Sequence, residues 1–174
     1  MKTKIFWKSM KSGLRSGMGD KVWAVGNWEK HTGELVMCES GFHASKNVID
    51  AMRYIDAEMV AQVEVRGNSL VQGDKQCWSE MRILRAWEWT KEDSVALAVY
   101  AAELVIGEYE KRYPDDKRPR QAIEAAKMWL KSLTGENRAA ARAVARAAEA
   151  AARKNTLAKC HLFVLKRLAK KKGT

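Results

Sequence analysis

Polar and apolar residues alternate through much of the first half of the chain, whereas apolar residues recur every three or four positions through the second. The two periods predict strands and helices respectively. IFWK (5–8) and KVWAVGNWEK (21–30) are rich in aromatic and β-branched residues and predict strands. Between them KSGLRSGMGD (11–20), with three glycines and two serines, predicts a loop, mobile or in contact with a ligand. HTGE (31–34) predicts a turn and GFHAS (41–45) a short strand. Asn47 stands where it can cap a helix over VIDAMRYI (48–55), with Val48, Ala51, Met52 and Ile55 on one face. MVAQVEVRG (59–67) and MRILRAWEW (81–89) predict two further strands.

Beyond residue 90 the period changes. Thr90 and Asp93 have capping-box spacing and open a predicted helix through about Tyr113, with Val95, Ala98, Val99, Ala102, Val105 and Ile106 at helical spacing. Pro114 ends it, and Pro119 suits the first turn of the next helix, which runs to Thr134–Gly135. ENRAAARAVARAAEAAARKN (136–155) is an alanine-rich stretch of very high helix propensity. A last amphipathic helix follows, its predicted stripe being Leu157, His161, Val164, Leu165 and Leu168. The expected fold class is α+β: a strand-rich domain with one short helix over 1–90, then a basic helical region of about four helices over 91–174, expected to form a bundle.

Composition adds constraints. At 174 residues and 47% hydrophobic content the chain can bury a core. Six of the seven tryptophans lie before residue 90, where they are expected to build the core of a small sheet. No stretch is apolar enough for a membrane span, and the basic N-terminus lacks the apolar run of a secretory signal. Cys38, Cys77 and Cys160 are far apart, and His31, His43 and His161 have no ligand spacing. A cytoplasmic, metal-free protein without disulfides is therefore expected. Walker, GxGxxG, GxSxG and HExxH motifs are absent from the sequence.

The net charge of +11 is uneven: residues 117–174 carry 16 basic side chains against 3 acidic. Such a field favours an acidic partner, whether nucleic acid, an acidic protein or nucleoprotein complex, or an anionic membrane surface, and the plain alternative is a solvated face. Arg138, Arg142 and Arg146 recur every four residues, and Arg153, Lys154, Lys166, Arg167 and Lys170 continue the charge. These eight are the candidate partner-binding residues.

GFHASKNVIDAMRYIDAEMVAQVEV (41–65) resembles, in order and spacing, the strand–helix–strand segment of ADP-ribosyltransferase-like folds. The resemblance implies an ADP-ribosyltransferase-like sheet domain. His43 and Tyr54 would frame a nicotinamide ring, and Glu80, after Trp78–Ser79, would steady positive charge on the ribose. Lys8 and Arg15 would hold the pyrophosphate of NAD. The arginine or histidine usual on the family's first strand has no clear counterpart here. The N-terminal half also resembles an uncharacterised domain of phage and prophage proteins that is often joined to alanine-rich immunity repeats. RAAARAVARAAEAAARKN (138–155) looks like a short form of such a repeat.

Three functions are thereby expected. The first is a phage-type accessory protein that binds and inhibits an acidic host partner, in the manner of an anti-defence or anti-CRISPR factor, without a cofactor. The second is an NAD-dependent ADP-ribosyltransferase, and the third a non-specific nucleic-acid-binding protein.

Overall fold

Alternation in the first half folds into one five-stranded antiparallel sheet, and the 3.6-residue period of the second half into helices. The structure is a computed structural model that describes residues 3–132 and 154–173. Backbone packing divides the chain into two units, Met1–Trp89 with Leu165–Thr174, and Thr90–Val164.

The first unit is built on a long hairpin. β4 (Met59–Gln72) and β5 (Lys75–Glu88) pair along their whole length, well past the segments that alternation alone marks as strands. Their turn places Gly73 at φ +61°, a positive φ that two-residue hairpin turns require and glycine supplies without strain. β1 (Lys4–Met10) adds to β4, while β2 (Glu29–Lys30) and β3 (Phe42–Ala44) add to the other edge of β5. Register shifts at Gln62/Val63 and Arg66/Ser69 mark bulges, which increase local twist. The sheet then curls until the residue after β3 meets β1: Trp7 and Ser45 exchange backbone hydrogen bonds of 2.8 and 2.9 Å. Inside the curl lie Phe6, Met10, Trp23, Val63, Trp78, Met81 and Ile83. Five of the six early tryptophans are buried, but only Trp23 and Trp78 belong to this core. Trp7 stacks on Trp87 away from it, and Trp28 is half-buried.

Two expectations for this unit need correction. Residues 21–30 do not form a strand: apart from isolated bridges at Val22 and Val25, only Glu29–Lys30 pairs, because Gly26 (φ +86°) turns the chain out of extended geometry. α1 is short, Val48–Met52, and Asn47 in its N-cap position bonds Asp50 through its side chain rather than capping the backbone. The 11–20 segment is held by a 3-10 turn at Ser12–Leu14 and by bridges from Arg15 to Lys11 and Val22.

In the second unit the Thr90–Asp93 capping box is present and opens α2 (Lys91–Glu103). The helix expected to reach Tyr113 instead breaks after Glu103 and resumes as α3 (Ile106–Arg112). The Val105 N–H bonds Ala102 three residues back, tightening the turn, and Gly107 lowers propensity just beyond. α4 spans Arg118–Ser132. Val95, Ala98, Val99, Ala102 and Ile106 pack with Ile123, Ala126 and Trp129. α5 (Lys154–Leu168) buries Thr156, Cys160, Val164 and Leu168, a row at strict four-residue spacing. Leu157, His161 and Leu165, expected in that stripe, are only half-buried. The architecture is mixed α+β, and no helix among the described residues is long and apolar enough to cross a membrane.

Candidate functional site

Along β1 the side chains alternate, so Phe6, Lys8 and Met10 share the face turned to the core. A lysine in that register must bury its stem and bring its amine to the nearest opening. That opening is a cleft of about 390 Å³, floored by β1 and β3 and walled by residues 16–23, the 38–41 loop and the end of α1. The Lys8 amine donates to the His43 carbonyl at 3.1 Å and lies 5.7 Å from the Trp23 ring centre. Burial pulls its pKa from the ordinary 10.5 down to about 8. Lys21 and Lys75 line the same cleft. The Lys21 charge is matched by Glu29 at 2.7 Å, and the Lys75 amine lies 3.4 Å from the Cys38 sulfur and 4.3 Å from the Tyr54 ring centre.

His43 leaves β3 on the face opposite Phe42 and Ala44, the two residues that pack toward the core. Its Nε2 accepts the Cys38 backbone N–H at 2.8 Å, and a further backbone hydrogen bond ties it to Gly41. Burial first, then the charges of Lys8 and Lys75, depress its pKa, so the ring is neutral at pH 7. With its lone pair occupied by a backbone amide, the ring pins the 38–41 loop rather than standing ready as a base. Cys38 holds φ at +68° in that loop, and Gly41 holds +104°.

Tyr54 stands at the rim. It is 43% exposed, and its hydroxyl donates to Asp74, which also pairs with Arg53. Burial, then that hydrogen bond, push its pKa up to about 12.

Glu80 is elsewhere. It faces Arg66 across the β4–β5 pair and bonds its Nε at 2.7 Å. Glu64 and Arg82 make a second rung at 2.5 Å. Both guanidinium groups lie over Trp28, at 3.9 and 4.9 Å from ring centres. Glu80 lines a separate, shallow depression with residues 30–35 and 67–70. Of the residues that the transferase resemblance implies, Lys8, His43 and Tyr54 thus gather at one cleft. Glu80 is not among its lining residues, and neither is Arg15, whose Nε donates to the Ser12 carbonyl. Trp23, Lys21 and Lys75 complete the cleft and were not legible as site residues. The one signal for Lys8 itself was its phase with Phe6 and Met10.

Of the candidate partner-binding residues, Arg138, Arg142, Arg146 and Arg153 lie outside the described residues, as does the side chain of Lys154. Lys166 and Lys170 are exposed, and Arg167 is half-buried. Lys159 and Lys172 are exposed as well. Lys159, Lys166, Lys170 and Lys172 have no carboxylate partner among the described residues. No group of three His, Cys, Asp or Glu among the described residues is placed to hold a metal ion.

Residues 3–94, more than half of the chain, match the model of a family described as "Domain of unknown function (DUF7666)". Residues 86–169 match a second family model, described as "Imm-5 like putative immunity protein". No curated protein and no solved structure matches the chain.

Proposed function

We propose, from the premise that this chain belongs to the family described as domain of unknown function DUF7666, that it is a binding protein which captures an acidic macromolecular partner and holds it inactive. The acidic partner is a protein or nucleoprotein complex, and the setting is that of a phage-type accessory factor acting against a host defence complex. The observation that carries this reading is the set of exposed lysines on α5 and the turn after it, Lys159, Lys166, Lys170 and Lys172, none matched by a carboxylate among the described residues. Unpaired, solvated cations at close spacing steer an acidic surface and lose little when it docks. The similarity of residues 86–169 to an immunity protein supports binding over catalysis. The transferase alternative is weakened because Glu80 is paired with Arg66 outside the cleft that holds His43 and Tyr54.

The test is functional. The chain is expressed in bacteria that carry an active defence system, and phage plating is compared with and without it. The variant carrying Lys159→Glu, Lys166→Glu, Lys170→Glu and Lys172→Glu, shown folded by circular dichroism, should lose the effect. Equal plating with wild type and variant refutes the assignment of that surface. If purified protein instead binds duplex DNA of any sequence, with affinity falling steeply as salt rises, the partner is nucleic acid and not an acidic protein.

A further inference from the structure

We propose that the cleft between β1, β3 and the 16–23 segment binds a small organic oxyanion, a carboxylate or phosphate carrying an apolar body, anchored by the Lys8 amine. This site lies within the first unit alone and is independent of the macromolecular surface proposed above.

Lys8 occupies a core-facing position between Phe6 and Met10, where an apolar residue would pack without cost. Its amine has a single hydrogen bond, to the His43 carbonyl, and no carboxylate partner among the described residues. Beyond that bond and the Trp23 ring 5.7 Å away, the amine keeps donor capacity for a ligand. Of the other lysines that line the cleft, Lys21 is paired with Glu29, while Lys75 has the Cys38 sulfur and the Tyr54 ring beside it and no carboxylate partner among the described residues, which adds to the positive field. Glu39 is the one carboxylate in the lining, so the cleft stays cationic. Burial also pulls the Lys8 pKa down to about 8, and a bound anion would favour its charged form.

The lining also carries apolar side chains, Trp23, Phe42 and Ile55 among them. At Gly17 a Cβ would come within 2.5 Å of Ile55, so glycine is what lets the loop close against it. A volume of about 390 Å³ lies at the small end of ligand pockets, which run from roughly 300 to 1,000 Å³. An anionic head against Lys8 and a ring or short chain against Trp23 match this division.

The experiment uses the full chain and four probes in calorimetry: benzoate, phenyl phosphate, inorganic phosphate and benzyl alcohol. At least one of the two aromatic anions should bind saturably, and which of them binds identifies the head group as carboxylate or phosphate. Inorganic phosphate and benzyl alcohol should bind at least about ten-fold more weakly, each lacking one half of the recognition. Lys8→Met should weaken the aromatic anion by about ten-fold or more. In the unmodified protein, a saturating aromatic anion should slow acetylation of Lys8 by acetic anhydride several-fold while leaving Lys170 unchanged. The proposal is overturned if neither aromatic anion binds, if benzyl alcohol binds as well as they do, or if Lys8 acetylates at the same rate with and without the probe.

Discussion

Replacing Gly41 by alanine should destabilise the first unit by about 2–6 kcal/mol, through two separable costs. The first is conformational: Gly41 holds φ at +104°, outside the range an L-residue adopts freely, which costs roughly 1–3 kcal/mol. The second is steric. An added Cβ would lie 2.5 Å from the Cys77 sulfur and 2.6 Å from Leu35 Cδ2, where ordinary contacts are about 3.5–4.0 Å. Cys77 is fully buried on β5, and its thiol donates to the Ser40 carbonyl at 3.1 Å, so it has nowhere to retreat. Overpacking of this kind costs roughly 1–3 kcal/mol. Gly73→Ala supplies the control. It too has positive φ (+61°), but nothing lies within 4 Å of its Cβ position, so only a conformational cost of about 1–2 kcal/mol applies. Urea unfolding followed by tryptophan fluorescence, with unchanged m-values, measures both. If Gly41→Ala proves no more damaging than Gly73→Ala, the packing account of the 38–41 loop is wrong.

Three further outcomes are expected. Lys8 has a folded-state pKa of about 8 against an ordinary 10.5, so native stability falls as the pH drops from 10.5 through about 8 and carries the full penalty at neutral pH. Lys8→Met should therefore raise stability at pH 7, by on the order of 1–3 kcal/mol, with an advantage that shrinks toward pH 10 in denaturation curves. The folded-state pKa of His43 is likewise depressed below the ordinary 6.5, so its contribution is complete above that pH and is lost as the pH falls below it. His43→Gln should flatten the loss of stability between pH 7.5 and pH 5, which melting temperatures across that range would show. Thr90→Ala removes the hydroxyl that accepts the Asp93 N–H in the capping box, and should cost about 1 kcal/mol in thermal unfolding monitored by circular dichroism.

Local signals carried much of this fold and little of its site. The alternation in IFWKSM and MVAQVEV identified β1 and the first half of β4 because each strand has one face on the core, and period two is the direct imprint of that. The Thr90 cap was legible for a similar reason, since all its partners lie within three residues. Residues 21–30 misled because aromatic content mimics strand propensity, while the turn at Gly26 and the missing ladder partners depend on the rest of the fold. The position of Glu80 was hidden in the same way. Its pairing with Arg66 crosses a hairpin whose register is displaced by bulges, and one displaced residue exchanges the faces of every position beyond it. The spacing of Glu80 from His43 in sequence therefore held no information about whether the two share a site.

Pairing of charge bears on the choice between the proposed binding reading and group transfer. In the first unit, Glu29, Glu58, Glu64 and Glu80 are each opposed by a lysine or arginine. In the helical unit, Glu103 and Glu124 share Lys127, Glu110 meets Arg120, and Asp116 meets Arg118. Exposed pairs of this kind add little stability, roughly 0–1 kcal/mol each, but they cancel field locally. A carboxylate so engaged is poorly placed to stabilise a developing cation, because its partner already takes the interaction it would offer. Among the described cations without a carboxylate partner are solvated lysines on α5 and its following turn, and the Lys8 amine in the cleft. In the two proposals above, the first would attract a large acidic surface weakly at each point, and the second would hold a single anion at one point. Both proposals rest on association, and neither requires a carboxylate to act beside it.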